Sequence, residues 1–150
     1  MVLWGWSAAA LAQVQKVVVR TTGISCGVCA VVSEVQFRRP PAIDDVAISL
    51  SKETITLHYK SGAGFDPQQI RRVLQPLDVG VLQFLVTAQG RVREENGKRI
   101  FVAGEDRFVV APVTSTADIP VDTGVVIEGV VNDSFNPAQV KILHYLVIKK

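Results

Sequence analysis

Cysteine is scarce in this sequence of 150 residues, which contains only two. Two cysteines cannot form the multi-bridge framework of a disulfide-rich secreted domain, and they cannot supply the four ligands of a structural zinc site. Charge of one sign is lacking as well: the net charge of +2 is too small to indicate binding to nucleic acid or to an acidic membrane surface. With 48% hydrophobic and 20% charged residues, the composition is that of an ordinary globular protein.

Long hydrophobic runs are also missing, because the apolar segment at the N-terminus is too short to cross a bilayer as a helix. It closes on Ala10-Leu11-Ala12, the small-x-small pattern that precedes signal-peptidase cleavage, although no basic residues stand before it. We expect residues 1–12 to be a signal peptide, cleaved near Ala12–Gln13, of a periplasmic or secreted protein without stable membrane insertion. The alternative is a loosely packed N-terminal tail on a cytoplasmic protein.

Residues 13–88 read as one α+β domain. Apolar alternation predicts strands at Gln15–Arg20, Asp45–Leu50, Thr54–Tyr59 and Gly80–Ala88. A first helix is predicted over Gly27–Phe37, with a buried stripe at helical spacing formed by Val28, Val31, Val32 and Val35. A second helix starts at the N-cap Asp66, followed by Pro67, and ends near Gln75. The resulting βαββαβ order predicts a ferredoxin-like sheet with two helices on one face.

Residues 89–150 show no helical stripe. Five short extended stretches are separated by turn-forming residues, at Gly90–Glu94, Arg99–Val102, Arg107–Ala111, Gly124–Val131 and Val140–Lys149. Five short strands predict a small OB-like barrel, because closure removes exposed strand edges. Since no linker composition separates Val86 from Val92, the fourth strand of the first domain is expected to run directly into the barrel.

The two cysteines form the motif Cys26-Gly27-Val28-Cys29 at the predicted turn from the first strand to the first helix. Backbone N–H groups and the helix dipole favour the thiolate there. Thiolates are soft ligands that select Cu(I), Hg(II) or Zn(II) over Mg²⁺ or Ca²⁺. Metal binding by Cys26 and Cys29 is the first hypothesis; a thiol–disulfide oxidoreductase using the same pair and a non-binding interaction scaffold are the alternatives.

With the cysteines at this place in a βαββαβ order, residues 15–88 resemble the heavy-metal-associated domain family of copper chaperones, metal-ATPase N-terminal domains and periplasmic mercury-binding proteins. The family loop is Gly-Met-x-Cys-x-x-Cys, and Gly23, Cys26 and Cys29 match it, with Ile24 in the Met position. The resemblance implies that Cys26 and Cys29 bind Cu(I) or another soft ion and hand it to a partner, either a transporter or another metal-binding domain, by thiolate exchange. Where the family often carries Lys, Tyr or Phe near the metal, this chain has Leu77-Asp78-Val79-Gly80.

The remaining candidates have simpler interpretations. We expect His58 to be a solvated strand residue and His144 to pack in the barrel. We expect the pairs Arg38-Arg39 and Arg71-Arg72 to be solvated helix residues. The alternative is that they form a positively charged patch that binds an acidic partner. No catalytic grouping or phosphate loop is visible, so the protein is predicted to be no enzyme. Nucleic-acid binding is not expected, because residues 90–150 carry eight basic and eight acidic residues.

Overall fold

The structure is a computed structural model and describes residues 12–23, 27–112 and 119–148, with the side chain of Val28 excepted. Within these ranges the chain forms one large sheet, two α-helices and a short 3₁₀ turn at Gln75–Leu77. The mixed α+β class is therefore confirmed. The helices are α1 (Gly27–Arg38) and α2 (Pro67–Leu74). The strands are β1 (Gln13–Thr22), β2 (Ile43–Ser49), β3 (Thr54–Tyr59), β4 (Gly80–Glu95), β5 (Lys98–Ala103), β6 (Asp106–Val110), β7 (Gly124–Asn132) and β8 (Gln139–Val147).

The first six major elements follow the predicted order β1-α1-β2-β3-α2-β4. Their strands lie side by side as β2-β3-β1-β4, and each neighbouring pair is antiparallel. β1 is central because it pairs with β3 on one edge and with β4 on the other. This arrangement places the end of β1 and the start of α1 at one end of the sheet, where the cysteine motif lies in the sequence.

β4 is a single strand of 16 residues that crosses the predicted boundary between residues 88 and 89. It pairs with β1 up to Gln89 and then with β5 from Arg91 onward, while β7 pairs with its other edge. Gly90 lies at the changeover, and a side chain there would overlap the carbonyl oxygen of Val102. The expected continuity of the fourth strand into the second half is confirmed; the division into domains at 88/89 stays a prediction.

The second half pairs its strands in a ring. β4 pairs with β5, β5 with β6, β6 with β8, β8 with β7, and β7 again with β4. The β6–β8 pair is parallel and the other four are antiparallel. The predicted stretch Gly90–Glu94 is the last part of β4 and no separate strand. The limits of the other four stretches lie within one residue of those observed, except that the end expected at Lys149 lies outside the described residues.

One continuous hydrophobic cluster joins the two halves. At its centre, Phe65 from the β3–α2 loop contacts Tyr59, Phe84 and Phe108, with ring centroids 6.4, 5.8 and 6.3 Å away. The first two pairs have the edge-to-face geometry that aromatic rings favour. The backbone N–H of Phe65 also donates to Oδ2 of Asp106 at 2.8 Å. Burial raises the pKa of Asp106, and the hydrogen bond from Phe65 opposes this shift.

Helix α2 begins as predicted. The carboxylate of the N-cap Asp66 accepts from the backbone N–H of Gln68 at 3.0 Å, and Pro67 takes the first helical position. Ile70 and Leu74 are buried and Val73 is partly buried, so the predicted stripe faces the core.

Helix α1 corrects the prediction. Val31 and Val35, from the predicted buried stripe, are 61% and 50% exposed, whereas the buried residues are Ser33 and Phe37. Val32 is only half-buried, and the side chain of Val28 lies outside the description. Phe37 buries a larger apolar area than any valine, and placing it in the core turns Val31 and Val35 outward.

Candidate metal centre

A glycine in a constrained conformation precedes the cysteine motif in the chain. Gly23 comes directly after β1 and has a φ of +86°, a conformation that a residue with a side chain rarely adopts. A Cβ on Gly23 would also lie 3.3 Å from the carbonyl oxygen of Asp78. Gly23 therefore lies against the connection between α2 and β4.

The end of β1 is fixed on both sides. The backbone N–H and the hydroxyl of the buried Thr21 donate to the carbonyl oxygen of Glu53, at 2.8 and 3.0 Å. On the other side Thr22 pairs with Gly80, and its Oγ1 occupies the space that a Cβ on Gly80 would need. The last residues of β1 are thus held from both neighbouring strands before the chain continues to α1.

Cys29 is the third residue of α1 and is half-buried. The first turn of a helix presents backbone N–H groups with no partner inside the helix, and these favour negative charge. The first turn of α1 contains no acidic side chain that would oppose a thiolate there. Cys26 lies outside the described residues. The structure therefore places one predicted ligand, and the pairing of Cys26 with Cys29 stays a prediction.

Ser33 lies one helical turn after Cys29, and sequence reasoning missed it. It is 0% exposed, and its hydroxyl has no hydrogen-bond partner among the described residues. An unsatisfied buried hydroxyl costs about 1–3 kcal/mol, so its presence needs a reason. The available signal in the sequence was the spacing of four residues from Cys29, which places both on one side of a helix.

A cleft of about 450 Å³ is lined by Arg71, Gln75 and residues 78–81. Among these lining residues, Arg71 has both a carboxylate partner and an aromatic contact. Its Nε and Nη2 donate to the two carboxylate oxygens of Asp133, at 2.7 and 2.8 Å, and its guanidinium carbon lies 5.2 Å from the ring centre of Phe84. The hydrogen bonds from Arg71 hold the pKa of Asp133 below its usual range, and those to Asp133 raise the pKa of Arg71.

The prediction that the arginines are solvated is confirmed for Arg38, Arg39 and Arg72 and wrong for Arg71. Arg71 is half-buried, because it joins α2 to the β7–β8 connection through Asp133. Arg38 contacts Glu34 and Asp45, and Arg72 contacts Asp66. Carboxylates of the same chain thus compensate three of these four arginines, which weakens the case for a positive patch.

The two histidines are both on the surface. His58 is exposed on β3, as predicted, whereas His144 is exposed on β8, so the prediction that it packs in the barrel is wrong. A β-bulge explains the difference: Gly129 pairs with Ile142 and Glu128 pairs with His144, which leaves Leu143 as an extra residue in β8. The bulge shifts the alternation by one residue and turns His144 outward.

The described residues contain no group of three or more His, Cys, Asp or Glu side chains that would hold a metal. Neither described helix has the length and apolar character needed to cross a membrane.

Comparison with known proteins gives little further information. No family model matches the chain, and no curated protein matches it. Among solved structures, one similar chain is described as a CopZ metallochaperone. It shares 15% sequence identity, and the match covers 45% of this chain and 98% of that chain with a TM-score of 0.40. A likeness at this level bears on neither the function nor the family of the chain.

Proposed function

We propose that this chain binds a soft heavy-metal cation through the thiolates of Cys26 and Cys29 and serves metal transfer or detoxification without catalysing a reaction. Cu(I) is the preferred cargo, and Hg(II) or Zn(II) would occupy the same ligands. The observation that carries the proposal is the position of Cys29, half-buried in the first turn of α1, the helix that follows β1 in the chain.

The chemistry of the two sulfurs suits this role. Two soft thiolates favour Cu(I) or Hg(II), and a site with only two protein ligands leaves room for an incoming thiolate. A structural zinc site is normally closed by four ligands, which exclude exchange. An open two-sulfur site therefore fits handover to a transporter or to another metal-binding domain.

The second half is proposed to be an OB-like barrel that serves as a docking module or as a structural extension of the first half. The ring β4-β5-β6-β8-β7-β4 supports this, because a five-stranded barrel of this type closes its sheet in a similar way. The shared core around Phe65 would hold the barrel rigidly beside the metal loop.

We also propose that the protein is exported, with cleavage near Ala12–Gln13. β1 begins at Gln13, whose amide side chain donates to the carbonyl of Lys60 at 2.9 Å and accepts from the N–H of Gly62 at 2.8 Å. Cleavage before Gln13 would leave all of β1 in place. The N-terminal residue of the protein purified from a periplasmic fraction tests this.

The experiment for metal binding is mass spectrometry of the reduced protein under native conditions, with Cu(I), Zn(II) and Hg(II) in competition. We expect equimolar Cu(I) or Hg(II) on the wild type and its loss in Cys26→Ser and in Cys29→Ser. Ser49→Ala is the control, because Ser49 lies in β2 outside the loop and the helix.

Two other results would contradict the proposal. Turnover in a thiol–disulfide exchange assay without metal retention would favour an oxidoreductase that uses the same pair. Neither retention nor turnover would leave the first half as an interaction scaffold.

A further inference from the structure

The side chain of Ser33 is a polar group enclosed on the sheet-facing side of α1. It is 0% exposed, its neighbour on the same side one turn later is the buried Phe37, and its neighbour one turn earlier is Cys29. Its hydroxyl finds no partner among the residues that the structure describes. An alanine would fill this position without an unsatisfied donor, so packing alone gives no reason for a serine.

Helix geometry directs this hydroxyl towards Cys29. Residues four apart have Cβ atoms about 5–6 Å from each other, and each side chain tilts towards the N-terminus of the helix. The side chain of Ser33 therefore lies over the turn that carries Cys29. In this structure the Ser33 hydroxyl makes no hydrogen bond to Sγ of Cys29, so such a bond requires one of the two side chains to rotate.

We propose that Ser33 is a positioning residue of the metal centre: its hydroxyl donates a hydrogen bond to Sγ of Cys29 when that sulfur holds a soft cation. The inference rests on the proposed function. A metal-bound sulfur carries more negative charge than a protonated thiol and is the better acceptor. Loading the site thus satisfies a donor that is otherwise unsatisfied, and the hydrogen bond holds Cys29 in one orientation at the mouth of the loop.

The test uses substitutions matched in shape. Ser33→Thr and Ser33→Val add nearly the same volume to the buried site, but only threonine keeps the hydroxyl. The Cu(I) affinity of the full-length reduced protein is measured against a chromophoric Cu(I) chelator at about pH 6, where an ordinary thiol is protonated. We expect the wild type and Ser33→Thr to hold Cu(I) roughly tenfold more tightly than Ser33→Ala and Ser33→Val, the effect of one hydrogen bond to a charged group.

Equal affinity of the threonine and valine variants would overturn the inference. An unsatisfied hydroxyl without this role predicts that Ser33→Ala unfolds at higher denaturant concentration than the wild type and binds Cu(I) equally well. If the wild type itself binds no Cu(I) or Hg(II), both the proposed function and this inference fail. If the wild type binds and the matched pair does not differ, only the inference fails.

A spectroscopic measurement on the wild type covers the case in which Ser33→Val does not fold. In the protein loaded with an NMR-active mercury isotope, a hydrogen bond from Ser33 to a metal-bound sulfur transmits scalar coupling from the metal to the hydroxyl proton. The complete burial of Ser33 slows exchange of this proton with solvent. Observation of the coupling supports the inference, and a detected hydroxyl proton without coupling contradicts it.

Discussion

The two helices of the first half differ in how far their sequence pattern determines their orientation. α2 combines a hydrogen-bonded N-cap, a proline at its first position and one apolar stripe, and its Ile70 and Leu74 are buried. α1 carries its valines in a stripe on one side and Phe37 on the opposite side, has no acidic residue in its first turn, and two of its valines face solvent. A helix with one apolar face has one way to pack, whereas in α1 the largest side chain, Phe37, decides the orientation. This orientation also turns Cys29 and Ser33 towards the sheet.

The largest expected effect concerns the buried aromatic residue of α1. Phe37→Ala should lower the free energy of unfolding by about 3–5 kcal/mol, because a fully buried aromatic side chain leaves a cavity. Val35→Ala, on the same helix, should change it by less than about 0.5 kcal/mol, because half of this side chain is already exposed. Urea unfolding followed by circular dichroism measures both. A greater loss for Val35→Ala than for Phe37→Ala would restore the orientation that the valine spacing predicts.

The next effect concerns Arg71, which extends α2 towards the second half. Arg71→Ala leaves the carboxylate of Asp133, whose side chain is only 11% exposed, without its bidentate partner. We expect a loss of about 1–2 kcal/mol near neutral pH, measured by urea unfolding. Arg72→Ala is the control: its contact with Asp66 is 3.5 Å long and exposed, so its loss should be at most a few tenths of a kcal/mol.

The same pair predicts a dependence on pH. The pKa of Asp133 is lower in the folded protein than in the unfolded chain, since Arg71 donates to the carboxylate. Its contribution is therefore complete above the unfolded pKa of about 3.9 and is lost as the pH falls through the folded pKa. The difference in stability between wild type and Arg71→Ala should shrink as the pH is lowered below about 4. A constant difference down to the lowest pH at which the protein folds would contradict this assignment.

The sequence predicts those features of the fold that neighbouring residues determine. The start of α2 follows from Asp66 and Pro67, and the continuity of β4 follows from the absence of a linker. The sequence did not predict the exposure of residues that depends on contacts with distant parts of the chain. The partial burial of Arg71 depends on Asp133, which is 62 residues away, and the exposure of His144 depends on a bulge opposite Glu128.

The candidate site likewise has one feature that the sequence predicts and one that it does not. The spacing of the motif places Cys29 in the first turn of a helix, and the structure confirms this position. The burial of Ser33 depends on which side of α1 faces the sheet, and the valine spacing predicted the other side. A correct orientation of α1 would have placed Ser33 beside Cys29 from the sequence alone.

The smallest expected effect concerns the N-cap residue of α2. Asp66→Ala removes the acceptor for the N–H of Gln68 and should cost about 1 kcal/mol, the usual value for a lost N-cap. Asp66→Asn keeps an equally good cap and loses only the exposed contact with Arg72, so it should stay within a few tenths of a kcal/mol of the wild type. Urea unfolding separates the two variants. If both variants lost the same stability, the charge of Asp66 would stabilise the helix and its hydrogen bond to Gln68 would not. The start of α2 would then depend less on the N-cap residue than we infer.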